Sequence, residues 1–130
     1  MKLGYTIIYV SDVTASLAFF EAAFGFTQKL FVPTGEYGEL NTGETTLAFA
    51  QHALGNSHFP EGYVRADQSD KPLGMEIALL TEDVASAHDK AVKRGAVSLN
   101  APQLKPWGQT ISYIRAPDGT LIELCTPMTN

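Results

Sequence analysis

Three histidines, one cysteine, a few serines and fourteen acidic residues are the side chains of this chain that could bind a metal, attack a carbonyl or move a proton. A transition-metal site needs three or four convergent nitrogen, sulfur or carboxylate ligands. His52, His58 and His88 share no ligand spacing: His52 follows an apolar strand pattern, His58 lies in a polar loop, and His88 comes four residues after Val84 in a helical pattern, where a structural role is the common one. Cys125 has no nearby histidine or basic residue to make it a thiolate, so it reads as a small hydrophobe. Ser11 and Ser16 fall at a helix start and serve capping and helix roles rather than a triad. No CxxC, phosphate-cradling glycine loop or dinucleotide fingerprint is present, which lowers hydrolase and nucleotide-binding readings. What remains is carboxylate and aromatic chemistry. Glu123 alternates with Cys125 along one apolar strand, and Tyr5, Ile7 and Tyr9 share one face of another. Carboxyl groups can act as general acids or bases, and aromatic faces hold planar or cationic ligands by stacking and cation–π contact.

The elements that position these groups come in two copies. Residues 5 to 25 and 76 to 95 repeat one pattern: an apolar strand, an Asp-Val, a small-residue helix start and a terminal glycine. Asp12-Val13 corresponds to Asp83-Val84, and Gly25 to Gly95, with one residue gained or lost between the copies. In the first copy, Tyr5 to Val10 is a strand, Ser11 or Asp12 caps a helix carrying Leu17, Phe20 and Phe24 at helical spacing, and Gly25 ends it. Thr27 to Val32 and Glu36 to Asn41 flank a Pro33-Thr34-Gly35 turn as a hairpin, and Thr45 to Gln51 is a fourth strand. In the second copy, Met75 to Leu80 is a strand, and Glu82 or Asp83 caps a helix running to about Arg94. Val97 to Asn100, Thr110 to Arg115 and Thr120 to Thr126 supply three more strands. Each copy is βαβββ, and a repeat of this length sets the architecture of the whole chain. Module 1 covers about residues 4–52, module 2 about 73–127. The connecting loop, 53–72, is rich in Gly, Pro, Asn, Asp and Ser; with Phe59, Tyr63 and Val64 it is either a partial lid or a plain linker.

Composition narrows the partners. A chain of 130 residues that is 45% hydrophobic forms one domain and buries about two-thirds of its unfolded surface without a staple. The single cysteine excludes an internal disulfide framework and fits a reducing compartment. No signal-peptide pattern or run of membrane-spanning length is seen, so a cytoplasmic location is expected. Nine basic against fourteen acidic residues leave a net charge of −5, which disfavours nucleic acid and anionic membrane surfaces. Lys90, Lys93 and Arg94 cluster only in the last turns of a helix, where they complement its dipole.

Several segments carry a resemblance: the Tyr5-to-Phe26 stretch with its Val-Ser-Asp-Val helix start, the second Leu-Thr-Glu-Asp-Val start, Pro106-Trp107-Gly108-Gln109, and Ala116-Pro117-Asp118-Gly119-Thr120-Leu121-Ile122-Glu123-Leu124. They resemble the glyoxalase/bleomycin-resistance/extradiol dioxygenase family, the vicinal oxygen chelate superfamily. The resemblance spans nearly the whole chain and implies an α+β fold of two βαβββ modules, a cupped mixed sheet around a ligand cavity, and commonly a homodimer.

In that family four positions face a metal, on the first and last strand of each module. Carried onto this chain, they are Tyr5 where histidine is usual, Ala48 where glutamate is frequent, Glu76 where histidine is usual, and Glu123, which matches. A Tyr/Ala/Glu/Glu set without imidazole argues against iron, zinc or nickel, so no cofactor is expected. A hard ion such as Mg²⁺ or Mn²⁺ held by Glu76 and Glu123 is the alternative. By strand alternation and by the resemblance, both glutamates point into one cavity, where two close carboxylates cannot both ionise cheaply and one has a raised pKa. The pair could catalyse proton transfer, dock a cationic ligand, or only make structural hydrogen bonds; if Met75 rather than Glu76 faces inward, the pair does not form. The resemblance places Trp107 at the cavity mouth, and Tyr5, Ile7, Tyr9, Ala48 and Tyr113 join it as candidate ligand contacts. Two functions follow. One is a protein sequestering a small aromatic or cationic molecule; the other is a lyase, isomerase or dioxygenase-like enzyme with an altered site in which Glu123 and Glu76 are catalytic. Fold resemblance does not decide between them.

Overall fold

A computed structural model describes residues 1–128. The chain divides into two compact units, Met1–Ser69 and Asp70 onward. The first contains β1 (Tyr5–Val10), α1 (Val13–Phe24), β2 (Gln28–Phe31), β3 (Tyr37–Leu40), β4 (Thr46–Gln51) and α2 (His52–His58), followed by a 3₁₀ turn at Ala66–Gln68. The second contains β5 (Glu76–Leu80), α3 (Val84–Lys93), β6 (Val97–Leu104), β7 (Thr110–Arg115) and β8 (Leu121–Cys125). Each unit is one βαβββ module. The strand orders are β1-β4-β3-β2 and β5-β8-β7-β6, so in both sheets the first and last strands of the module pair in parallel and the remainder pair antiparallel.

Local chemistry explains the repeated helix starts. Asp12 is the N-cap of α1, accepting a hydrogen bond from the Ala15 amide at 3.1 Å, and Asp83 does the same for α3 from the Ser86 amide at 3.0 Å. Each satisfies one of the amides that a helix leaves unpaired at its first turn. Gly25 closes α1 in the left-handed region at φ 79°, where a side chain would be strained.

Each helix covers one face of its own sheet. In the first unit Val13, Leu17, Phe20 and Ala23 of α1 are buried together with Val10, Leu40, Leu47 and Phe49. The rings of Phe20 and Phe49 lie 5.1 Å apart and those of Phe20 and Phe24 5.4 Å apart. β3 approaches α1 closely at Gly38, where an added Cβ would lie 2.7 Å from Leu17 Cδ1. In the second unit Val84, His88 and Ala91 recur at helical spacing on the buried side of α3. Ser112, Ile114, Ile122 and Leu124 are buried with them. His88 is thus a core histidine, its ring nitrogens 2.9 Å from Ser112 Oγ and 2.8 Å from Ser98 Oγ.

Two local expectations are corrected. Residues 53–72 are not plain loop: α2 continues directly from β4, and the 3₁₀ turn follows. The sequence disguises α2 because Gly55, Asn56 and Ser57 have poor helix propensity; burial of His52 and Gly55 offsets it. β6 runs past Asn100 to Leu104, through Pro102. It is an edge strand whose register with β7 shifts between Asn100 and Gln103, the setting in which a strand tolerates proline.

Candidate functional site

Sheet register determines which side chains share a face. In the second unit Ala78 stands opposite Glu123, and Glu76 opposite Leu121. Glu76 and Glu123 are therefore diagonal neighbours, and Tyr113 on β7 stands directly opposite Glu123. These three alternate with Ile77, Ile114, Ile122 and Leu124, so they occupy the face that α3 leaves open. The Tyr113 hydroxyl donates to Glu123 Oε1 at 2.8 Å. Glu76, one step along the same row of β5 from the residue opposite Glu123, is close enough for the two carboxyl groups to act on each other electrostatically. Met75, 72% exposed, lies outside β5.

The electrostatics follow from this packing. Partial desolvation against the sheet raises the Glu76 pKa above the ordinary carboxyl value although the residue is exposed overall, and the neighbouring Glu123 carboxyl adds to the shift. Donation to Glu123 pushes the Tyr113 phenol up to about 12, assisted by burial. Burial, with Glu123 as hydrogen-bond and charge neighbour, pushes the Cys125 thiol up to about 11. Cys125 is accordingly a protonated, inert thiol at neutral pH. The Tyr113 phenol is the donor to Glu123, while the Cys125 thiol donates to the Leu79 carbonyl at 3.8 Å. Glu76 is the exposed member of the cluster and Glu123 the half-buried one. Ala78 and Leu80, on the same row of β5 as Glu76, are exposed beside it.

Other anticipated residues lie in the first unit or at a turn. Tyr5, Ile7 and Tyr9 share a row of β1, with Thr46, Ala48 and Ala50 of β4 opposite them. Tyr5 and Ile7 are 56% and 43% exposed, whereas Ala48 is fully buried. Tyr9 is packed beneath the segment after β4: its ring is 5.1 Å from Tyr63 and 6.1 Å from Phe59. Trp107 sits in the β6–β7 turn, exposed, with its indole N–H donating to Gln109 Oε1 at 2.8 Å while Gln109 Nε2 donates to the Thr126 carbonyl at 2.8 Å.

Sequence reasoning missed two groups. One is a network that fastens the segment after β4. His52 Nε2 lies 3.0 Å from Asp67 Oδ1, His52 Nδ1 lies 2.8 Å from the Tyr63 hydroxyl, and Ser11 donates to Asp67 Oδ2 through both its amide and its hydroxyl. Burial alone would raise the Asp67 pKa, but hydrogen bonds from Ser11 and His52, with the histidine charge, hold it below the ordinary aspartate value. Nothing in sequence spacing couples Ser11, His52, Tyr63 and Asp67. The other is the Tyr37–Glu39 pair on β3, whose phenol donates to the carboxylate at 2.7 Å. Its signal was a carboxylate alternating with apolar neighbours in a strand, and only the register brings it opposite Ala48.

Comparison with known proteins gives this geometry a family. The model of the Glyoxalase/Bleomycin resistance protein/Dioxygenase superfamily matches residues 2–124. The chain belongs to that superfamily. The YwbC protein of Bacillus subtilis (strain 168), an uncharacterized protein, is 32% identical over 129 residues, covering 94% of each chain. A glyoxalase-related enzyme from Fulvimarina pelagi superposes with a TM-score of 0.82 at 19% identity, covering 98% of this chain and 88% of its own. A glyoxalase/bleomycin resistance protein/dioxygenase family enzyme from Burkholderia phytofirmans PsJN gives 0.80 at 21% identity, covering 97% and 98%. At these identities the two structures share the fold with this glyoxalase-superfamily chain. Among the described residues no helix is long and apolar enough to cross a membrane.

Metal fit can be judged from donor chemistry. Glu76 and Glu123 offer oxygen alone, the group hydrogen-bonded to Glu123 is a phenol held protonated, and the nearby thiol, also protonated, donates to the Leu79 carbonyl. That set does not suit zinc, nickel or non-haem iron, which favour imidazole ligands. Mg²⁺ and Mn²⁺, which accept carboxylate with water, match the donor type.

Proposed function

We propose that this glyoxalase-superfamily chain binds a small aromatic molecule bearing a cationic group, and that the acidic cluster of the second module is its recognition point. The carrying observation is the placement of Tyr113, Glu123 and Glu76 together on the open face of the second sheet, with the Tyr113 hydroxyl donating to Glu123. A cation approaching Glu76 and Glu123 offsets the repulsion between the two carboxylates. Tyr113 fixes Glu123 in orientation, so the acceptor is arranged before the ligand arrives. Exposed Ala78 and Leu80 supply apolar surface beside the charge for the body of the ligand. The cytoplasmic, homodimeric character read from the sequence belongs to the same proposal.

A second reading has an observation of its own. The raised pKa of Glu76 is what a general acid working near neutral pH requires. In this reading Glu76 gives its proton to a bound substrate and becomes a carboxylate, the proton returns from solvent, and Tyr113, donating to Glu123, holds that neighbour in place. A hard metal ion at the two carboxylates would supply Lewis-acid stabilisation instead.

Saturation-transfer NMR with 2-phenylethylammonium, neutral 2-phenylethanol and anionic phenylacetate tests the binding reading. The ammonium compound is expected to bind best, its affinity falling on the order of tenfold in Glu123→Gln as a charge-assisted contact is lost. Equal binding of all three, or preference for phenylacetate, refutes cation recognition.

A further inference from the structure

The two modules present different chemistry at matching positions of their sheets. Ala48 on the last strand of the first module stands opposite Ile7 as Glu123 stands opposite Ala78 in the second. One strand further in, Glu39 stands opposite Ala48, whereas Tyr113 stands opposite Glu123. Tyr5 occupies the row position that Glu76 has in the second module. The first sheet has therefore not lost its acid; the carboxylate stands on β3 instead of β4.

Glu39 is an unusual residue for a β-strand of this size. It is 8% exposed, and a carboxylate so buried ordinarily has a cation beside it. Among the described residues no cationic nitrogen of Lys29 or of another side chain lies within 4 Å of the Glu39 carboxylate. The Lys29 ammonium, on the adjoining strand, donates to Thr46 Oγ1 at 3.2 Å. One oxygen of Glu39, Oε2, accepts from the Tyr37 hydroxyl. The other accepts no hydrogen bond, yet no buried polar side-chain atom lacks a partner among the described residues, so Oε1 retains its contact with solvent. Gly38 faces α1, which places Glu39 and Tyr37 on the opposite face, the face that also carries Ala48 of β4 and Tyr5 of β1. The result is a buried carboxylate, oriented by one phenol, with a single acceptor oxygen left open on the face that Tyr5 shares.

We propose that the first module carries its own recognition site for a protonated amine, with Glu39 Oε1 as the anionic acceptor, Tyr37 as the residue that orients it, and Tyr5 as an aromatic surface. This site goes beyond the cluster at Glu76 and Glu123 and stands or falls separately from it. An ammonium group supplies both missing elements, a positive charge and a donor for the open oxygen, and Tyr5 favours a cation near its face.

The test is a titration of the full chain, labelled at the glutamate δ-carbon, with 2-phenylethylammonium, followed by ¹³C NMR. Glu39→Gln and Glu123→Gln assign the two carboxyl resonances, with Glu39→Asp replacing the first if it does not fold. A saturable shift of the Glu39 resonance, absent with 2-phenylethanol, is the expected result, together with a loss of affinity on the order of tenfold at that site in Glu39→Gln. Movement of Glu123 with Glu39 unchanged overturns this site and leaves the second-module reading intact. Movement of Glu39 alone supports this site and removes that reading, and no movement of either removes both.

Discussion

Replacing Gly55 by alanine tests whether the segment after β4 is fastened as the distances imply. An added Cβ at this position would lie 2.6 Å from the Tyr63 hydroxyl oxygen and 2.9 Å from Tyr9 Cδ1. In isolation the change favours α2, since alanine in a helix is better than glycine by about 1 kcal/mol. Against this, overpacking costs about 1–3 kcal/mol. Displacing the Tyr63 hydroxyl also removes the 2.8 Å contact to His52 Nδ1, and an unpaired polar atom in a buried site costs about 1–3 kcal/mol. The balance is a destabilisation of about 1–5 kcal/mol. For a chain of 130 residues, the usual unfolding entropy converts each kcal/mol to about 4 °C, so the melting temperature should fall by about 4–20 °C. Urea denaturation followed by far-UV circular dichroism and by tyrosine and tryptophan fluorescence measures it. Tyr63→Phe supplies the decisive comparison. In that background the oxygen that alanine would strike is absent, so Gly55→Ala should cost about 1–2 kcal/mol less than in the wild type. A Gly55→Ala protein as stable as the wild type, with effects additive to those of Tyr63→Phe, would refute the reasoning: Tyr63 would then be free to move away without loss.

The remaining predictions concern charge and packing. Because the folded state holds the Asp67 pKa below its unfolded value, the stability this residue contributes is full above the unfolded aspartate pKa and is lost as pH falls through the folded one. Asp67→Asn should therefore be less stable than wild type at pH 6–7 and converge with it in acid; a gap that stays constant with pH counts against the assignment. Glu76 has the opposite sign: its raised pKa means the native state holds the proton more tightly, so its contribution is fully present below the unfolded value and is lost as pH rises through the folded one. Glu76→Gln should abolish that decline in denaturation curves collected across the range, and an unchanged pH profile would show that the two carboxyls do not interact. Gly38→Ala should lose about 1–3 kcal/mol, read by thermal melting, because its methyl meets Leu17 Cδ1 at 2.7 Å. Mn²⁺ or Mg²⁺ added to the purified chain should leave the melting temperature unchanged; a rise that disappears in Glu123→Gln would favour the hard-metal reading over cation binding.

Most of the fold was legible because it rests on short-range rules applied twice. The two Asp caps, the glycine after α1 and the alternation of Tyr5 to Val10 and Leu121 to Cys125 act within a few residues of themselves, and each copy repeats the other's punctuation. The hidden pieces have local signals that point elsewhere. α2 carries glycine, asparagine and serine and exists because His52 and Gly55 are buried against the strands, while β6 extends through a proline that an edge strand can hold. Both are cases of tertiary packing overriding local propensity.

The candidate sites divide in the same way. Sequence alone supplied the identities of Tyr5, Glu76 and Glu123, and only its resemblance to the family implies that the first two stand where imidazole is usual and the third where glutamate is; those identities limit the metals the donor set suits. Only the tertiary structure decided which groups meet. Glu76 and Glu123 interact because parallel pairing of β5 with β8 sets Ala78, not Glu76, opposite Glu123, leaving the two acids diagonal on one face. Glu39 lies opposite Ala48 because β3 and β4 pair antiparallel in that register. A shift of one residue in either pairing would send these side chains to the helix-covered face. Alternation along a strand fixes which residues share its face, but the partner strand and its register are set by burial of both helix-facing sides at once, a condition that no local stretch of sequence contains.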